Sequence, residues 1–120
     1  MPMEVNDTRL DYIPDPPEDL YLSEKQNRSV RLSWVTGNNN NSPINESIVE
    51  FEEKRWEPRK WQELIRIPGN VTTAVVPLAP YINYQFRVVS VNGVGRSRPS
   101  EPSERYETPP AGMKCYFSFV

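Results

Sequence analysis

The chain has 120 residues, room for one domain of ordinary size with its own core and too few for two. Charged side chains make up 25% and the net charge is −2, which argues against the strongly basic face of a nucleic-acid binder. Thirteen prolines against five glycines suit edge strands, turns and linkers, and they fit long helices badly.

In chain order, residues 1–13 read as a polar leader, and Pro14-Asp15-Pro16-Pro17 marks a boundary. Leu20 and Leu22 alternate with Asp19 and Tyr21 in a first strand. Val30, Leu32 and Trp34 alternate with Arg31 and Ser33 in a second. Thr36 to Pro43, rich in Asn, predicts an exposed loop. The third strand runs through Ser47-Ile48-Val49-Glu50-Phe51, and Glu57-Pro58-Arg59-Lys60 predicts a hairpin connection. Trp61 to Ile67 is the fourth strand, and Pro68-Gly69-Asn70 turns the chain. Ala74, Val76 and Leu78 face one way on a fifth. The sixth is the clearest, with Tyr84, Phe86 and Val88 alternating with Gln85 and Arg87. Asn92-Gly93-Val94-Gly95 is a turn, a last polar strand lies between Arg98 and Thr108, and Pro109-Pro110 closes the unit. Short strands at spacings of about ten residues predict an all-β, seven-stranded, two-sheet antiparallel sandwich over residues 14–110. Its core is expected from Trp34, Leu78, Tyr84, Phe86 and Val88.

No stretch approaches the roughly 18 apolar residues of a membrane span, so no membrane contact is expected from this chain. Met1-Pro2-Met3-Glu4 does not open a signal peptide. An extracellular origin would make the chain a piece of a longer protein whose targeting signal lies elsewhere. Cys115 is the only cysteine, so no internal disulfide is expected and the compartment stays open.

Three segments together resemble a fibronectin type III domain. They are Val30-Arg31-Leu32-Ser33-Trp34, the run from Leu78 to Val88 in the form L-x-P-x-x-x-Y-x-F-R-V, and Asn92 to Ser100 in the form N-x-x-G-x-S-x-P-S. The resemblance implies that the Tyr84 hydroxyl bonds back to nearby backbone, as in a tyrosine corner. Pro14 to Pro17, Asn41 to Ile44, Val49 to Glu52, Leu78 to Tyr81 and Val91 to Gly95 are similar to the first fibronectin repeat of a neural adhesion group. That group contains neurofascin and the neuronal cell adhesion molecule, the latter favoured. The likeness implies an extracellular module of a single-pass plasma-membrane protein of the immunoglobulin superfamily. Its partners would be other cell-surface adhesion proteins, homophilic or heterophilic. Axon growth and guidance would be its setting, and ankyrin would bind a cytoplasmic tail outside this chain. Two features depart from the pattern. Ser47 stands where the family places an inward aromatic, which predicts a small or wet pocket. Residues 111–120 resemble nothing in the family, and they fit either a spliced terminus or a cloning remnant.

The chemistry of an enzyme is missing. There is no histidine, the lone cysteine has no imidazole partner, and no glycine-rich loop cradles a phosphate, so neither catalysis nor a cofactor nor a metal is expected. Glu50 and Glu52 are read as the solvated outer face of a strand rather than a catalytic pair. Asn-x-Ser/Thr sequons stand at Asn6, Asn27, Asn40, Asn45 and Asn70. Asn27 and Asn70, in turns, are the best glycosylation candidates. Asn45 is weaker because it shares the inward parity of Ser47.

Trp56 and Trp61 are read first as cover for a sheet face and second as anchors for a partner, with Arg55, Arg59 and Lys60 as rim charge or a weak heparin patch. Arg96 and Arg98 complete the candidate interaction surface, although the integrin-binding tripeptide Arg-Gly-Asp is absent. The function expected is a spacer and protein-interaction surface. A ligand-binding receptor ectodomain and an intracellular structural repeat are the alternatives.

Overall fold

A computed structural model describes residues 11–111. Seven strands follow in order: β1 (Glu18–Gln26), β2 (Ser29–Val35), β3 (Ile44–Glu53), β4 (Glu57–Pro68), β5 (Thr73–Pro77), β6 (Asn83–Asn92) and β7 (Tyr106–Glu107). They form a three-stranded sheet, β1-β2-β5, packed on a four-stranded sheet, β4-β3-β6-β7, and the paired strands are all antiparallel. One end, here the upper pole, holds the 36–43 loop and the turns at 69–70 and 93–95. The lower pole holds the turns at 27–28, 54–56 and 79–82.

Period-two alternation decides which side chains meet. Val30, Leu32 and Trp34 point inward from β2, and Tyr84, Phe86 and Val88 point inward from β6; all six are buried. Leu22, Val49, Ile67, Val76 and Leu78 complete the cluster. The Tyr84 ring stacks on Phe86 at 5.5 Å and meets the edge of Phe51 at 5.7 Å. The Tyr84 hydroxyl accepts the Ala79 amide at 2.8 Å, so the expected tyrosine corner is present. Ser47 is buried opposite Ser90, so two small side chains are paired across β3 and β6 toward the upper pole.

Three local expectations change. The hairpin turn is Lys54-Arg55-Trp56, and Glu57 to Lys60 already belong to β4. Pro58 is tolerated there because β4 is an edge strand, where a missing amide hydrogen costs no ladder bond. Asn45 is exposed rather than inward, because the β3–β6 register slips between Ile44 and Glu46 and resets the parity. At the end of β4, a Cβ on Gly69 would lie 2.1 Å from the Ile44 carbonyl oxygen, so the turn admits only glycine there.

The third change concerns the last segment, which is regular strand only at Tyr106–Glu107. Pro99 and Pro102 interrupt the ladder. Ser97, Ser100 and Ser103 take its place. Their amides donate to the carbonyls of Ser90 (2.8 Å), Val88 (2.9 Å) and Phe86 (2.8 Å). Their hydroxyl oxygens accept the return bonds from the amides of Ser90 (3.0 Å), Val88 (3.0 Å) and Phe86 (3.1 Å). A side-chain oxygen thus does the work of a strand carbonyl at every third residue.

Candidate interaction surface

The lower pole carries an arrangement that the sequence did not announce. Glu53 closes β3 with its side chain buried. Its carboxylate accepts the amides of Arg55 (2.9 Å), Trp56 (2.9 Å) and Glu57, and so fixes the turn from within. The pinned backbone turns Trp56 outward, leaving it 65% exposed. Arg55 folds back with its guanidinium 4.0 Å from the centre of the Tyr81 ring and pairs with Glu107. Tyr81 is itself 45% exposed and takes a left-handed backbone, φ 55°. Two exposed aromatics therefore flank an arginine whose position is already fixed, on a backbone with little ordering entropy left to lose on binding.

Trp61 behaves differently. Arg87 lies 4.3 Å over its ring and pairs with Glu50 at 2.7 Å, which ties Trp61 to the outer face of the four-stranded sheet. Trp61 thus lies against the outer sheet face, whereas Trp56 is mostly exposed among the described residues. Arg96 and Arg98 are exposed at the upper pole, so the four candidate residues do not form one surface. Of the basic residues near the hairpin, Arg55 is paired with Glu107 and Lys60 with Glu57, which dissipates a heparin-like field.

The reading of Glu50 and Glu52 as solvated is corrected. Both lie on the outer face, but Glu52 is only 5% exposed. It pairs with the Arg105 guanidinium and accepts the Arg59 amide at 2.7 Å. Burial pushes the Glu52 carboxyl up, but these partners together pull it further down, so it titrates below its ordinary value of 4.5. Because the folded value lies below the unfolded one, the carboxylate stabilises the domain above pH 4.5, and the contribution is lost as the pH falls through the folded value. Urea midpoints between about pH 6 and about pH 3 should therefore fall more steeply for the wild type than for Glu52→Gln. Equal slopes would show that the pair does not couple to folding.

Among the sequons, Asn27 and Asn70 are exposed in turns at opposite poles, and Asn45 is exposed on β3. Asn40 is half-buried, and its amide nitrogen donates to the Ile13 carbonyl at 2.7 Å and to Asp15 at 3.2 Å. Asn6 and Cys115 lie outside the described residues. Among the described residues, no helix is long and apolar enough to cross a membrane.

The fibronectin type III domain model matches residues 15–106. The human neural cell adhesion molecule L1-like protein is 61% identical over 99 residues, covering 82% of this chain and 8% of that protein. Neurofascin of Gallus gallus is 57% identical over 95 residues, covering 79% of this chain and 7% of its own length. The neuronal cell adhesion molecule of Gallus gallus is 50% identical over 95 residues with the same coverage, so the group is matched but the preference for this member is not confirmed. The chain thus spans under a tenth of the length of these relatives. A crystal structure of domains from titin aligns with a TM-score of 0.72 at 33% identity, covering 81% of this chain and 32% of that one. Fibronectin type III domains of cell-adhesion proteins are in general non-catalytic. The sandwich, its tyrosine corner and the match across most of its length agree, and the chain belongs to the fibronectin type III domain family.

Proposed function

We propose that this chain is an extracellular, non-catalytic module of a neural cell-adhesion protein. It spaces neighbouring domains and presents the Arg55–Trp56–Tyr81 surface to another cell-surface adhesion protein. The identity to neural adhesion molecules over about four-fifths of the chain carries the reading. A pinned, solvent-facing tryptophan beside an arginine supports the contact, because these two residue types concentrate binding energy at interfaces. Glycans on Asn27 and Asn70 belong to the same proposal. So do a role in axon growth and guidance, and a membrane span and ankyrin-binding tail in the parent protein beyond this chain.

Beads coated with the purified domain, mixed with beads carrying the ectodomain of the L1-like protein or of neurofascin, test the surface. Trp56→Ala should weaken bead association by about 2 kcal/mol or more, roughly thirtyfold, while its urea midpoint stays within about 0.5 kcal/mol of wild type. Undiminished association by Trp56→Ala would leave the module a spacer only.

The likeness to titin, at 33% identity, favours one second reading, an intracellular structural repeat. Secretion with attached sugar separates the two.

A further inference from the structure

The segment that leads into the sandwich is held on the upper pole by two asparagines. The Asn92 side-chain nitrogen donates to the Tyr12 carbonyl at 2.7 Å and to the Asn39 carbonyl at 3.1 Å. The Asn92 side-chain oxygen accepts the amides of Val94 (2.8 Å) and Gly95 (3.0 Å), so one buried residue joins the leader, the 36–43 loop and the 93–95 turn. Asn40 is the second clamp. Its nitrogen spends one donated bond on Ile13 and the other on Asp15, while the Asp15 amide donates to the Asn38 carbonyl at 2.9 Å. The backbone at Asn40 is left-handed, φ 53°, which asparagine tolerates better than most residues and which sets its side chain toward the leader.

Asn40 is also the acceptor of the sequon Asn40-Asn41-Ser42. In glycosyl transfer the side-chain nitrogen attacks C1 of a lipid-linked oligosaccharide diphosphate. The N–C1 bond forms, the C1–O bond breaks, the lipid diphosphate leaves with the electron pair, and one nitrogen-bound proton passes to a base of the transferase. One N–H remains where the clamp uses two.

We infer that a glycan on Asn40 removes one of the two bonds its nitrogen donates to the leader, and so loosens the segment from Ile13 to Asp15 while Asn92 still holds Tyr12. The inference rests on the extracellular reading above. Transfer must occur before the loop folds, because folding withdraws the nitrogen into the clamp. Occupancy at Asn40 is therefore partial, whereas Asn27 and Asn70, exposed in turns, are filled more completely. The device makes the joint to whatever precedes this domain stiffer in one glycoform and looser in the other.

The test is peptide mapping of the domain secreted from animal cells, followed by hydrogen exchange on the separated Asn40 glycoforms. The Asp15 amide should be protected in the form lacking sugar on Asn40 and exchange about tenfold faster in the form carrying it. In unglycosylated protein made in bacteria, Asn40→Ala should accelerate the same amide, with the amides of β6 unchanged. Equal Asp15 protection in both glycoforms, or in Asn40→Ala and wild type, would overturn the inference. Sugar at Asn27 and Asn70 but none at Asn40 would overturn it while leaving the extracellular reading intact. No sugar at any of the three would remove both.

Discussion

Replacing Trp34 by alanine should cost the domain about 3–5 kcal/mol in a urea titration, a large part of the stability of a single sandwich. Trp34 is only 4% exposed and belongs to the cluster formed by Leu32, Val49, Val76 and Phe86. The sheets meet there, and neither can collapse into the space an indole leaves without breaking the register of β2 against β1 and β5. Among the described residues the indole N–H has no acceptor, so it is the ring's area and shape that stabilise the fold. Trp34→Phe, which keeps a ring and drops the N–H, should therefore cost clearly less than Trp34→Ala. A loss below about 1 kcal/mol for the alanine variant would place the packing centre elsewhere.

The second large effect is expected from Ser100→Ala combined with Ser103→Ala. Each hydroxyl accepts a buried amide of β6, Val88 in one case and Phe86 in the other. Pro99 and Pro102 each stand directly before one of the two serines and keep the segment out of a regular ladder, so the hydroxyls take the acceptor role of strand carbonyls. Each substitution should cost about 1–3 kcal/mol, because a buried N–H loses its partner while the chain around it stays in place. The two sites share one segment, so the double variant need not equal the sum of the singles. Exchange of the Val88 and Phe86 amides, compared with that of Leu32 on the other sheet, locates the damage. Unchanged protection at both would mean that solvent or backbone replaces the hydroxyls.

The fold was largely legible because its signals are local. Val30, Leu32 and Trp34 announce β2, and Tyr84, Phe86 and Val88 announce β6, by alternation that any half-buried strand must show. What escaped was set by partners distant in sequence. Glu52 reads as a solvated face until Arg105 arrives from the last segment, and nothing around residue 52 foretells that. Pro58 suggested a turn because its tolerance depends on β4 lying at a sheet edge, a property of the topology. A bulge reset the parity at Asn45. Two of the three serines of the ladder showed, Ser97 and Ser100, in a family-like N-x-x-G-x-S-x-P-S run whose spacing of three contradicts a regular strand. At the candidate surface, Trp56 was legible as a residue but not as an exposed one. Its exposure follows from the Glu53 carboxylate beneath the turn and from Arg55 spending itself on Tyr81.

The extracellular assignment is tested most directly by mass mapping of the Asn27 and Asn70 peptides after the domain is sent through the secretory pathway of animal cells. The account predicts N-linked sugar on at least one of the two, since both are exposed in turns. Efficient secretion of a domain bearing no sugar at either asparagine would contradict it and leave the intracellular structural repeat as the better reading.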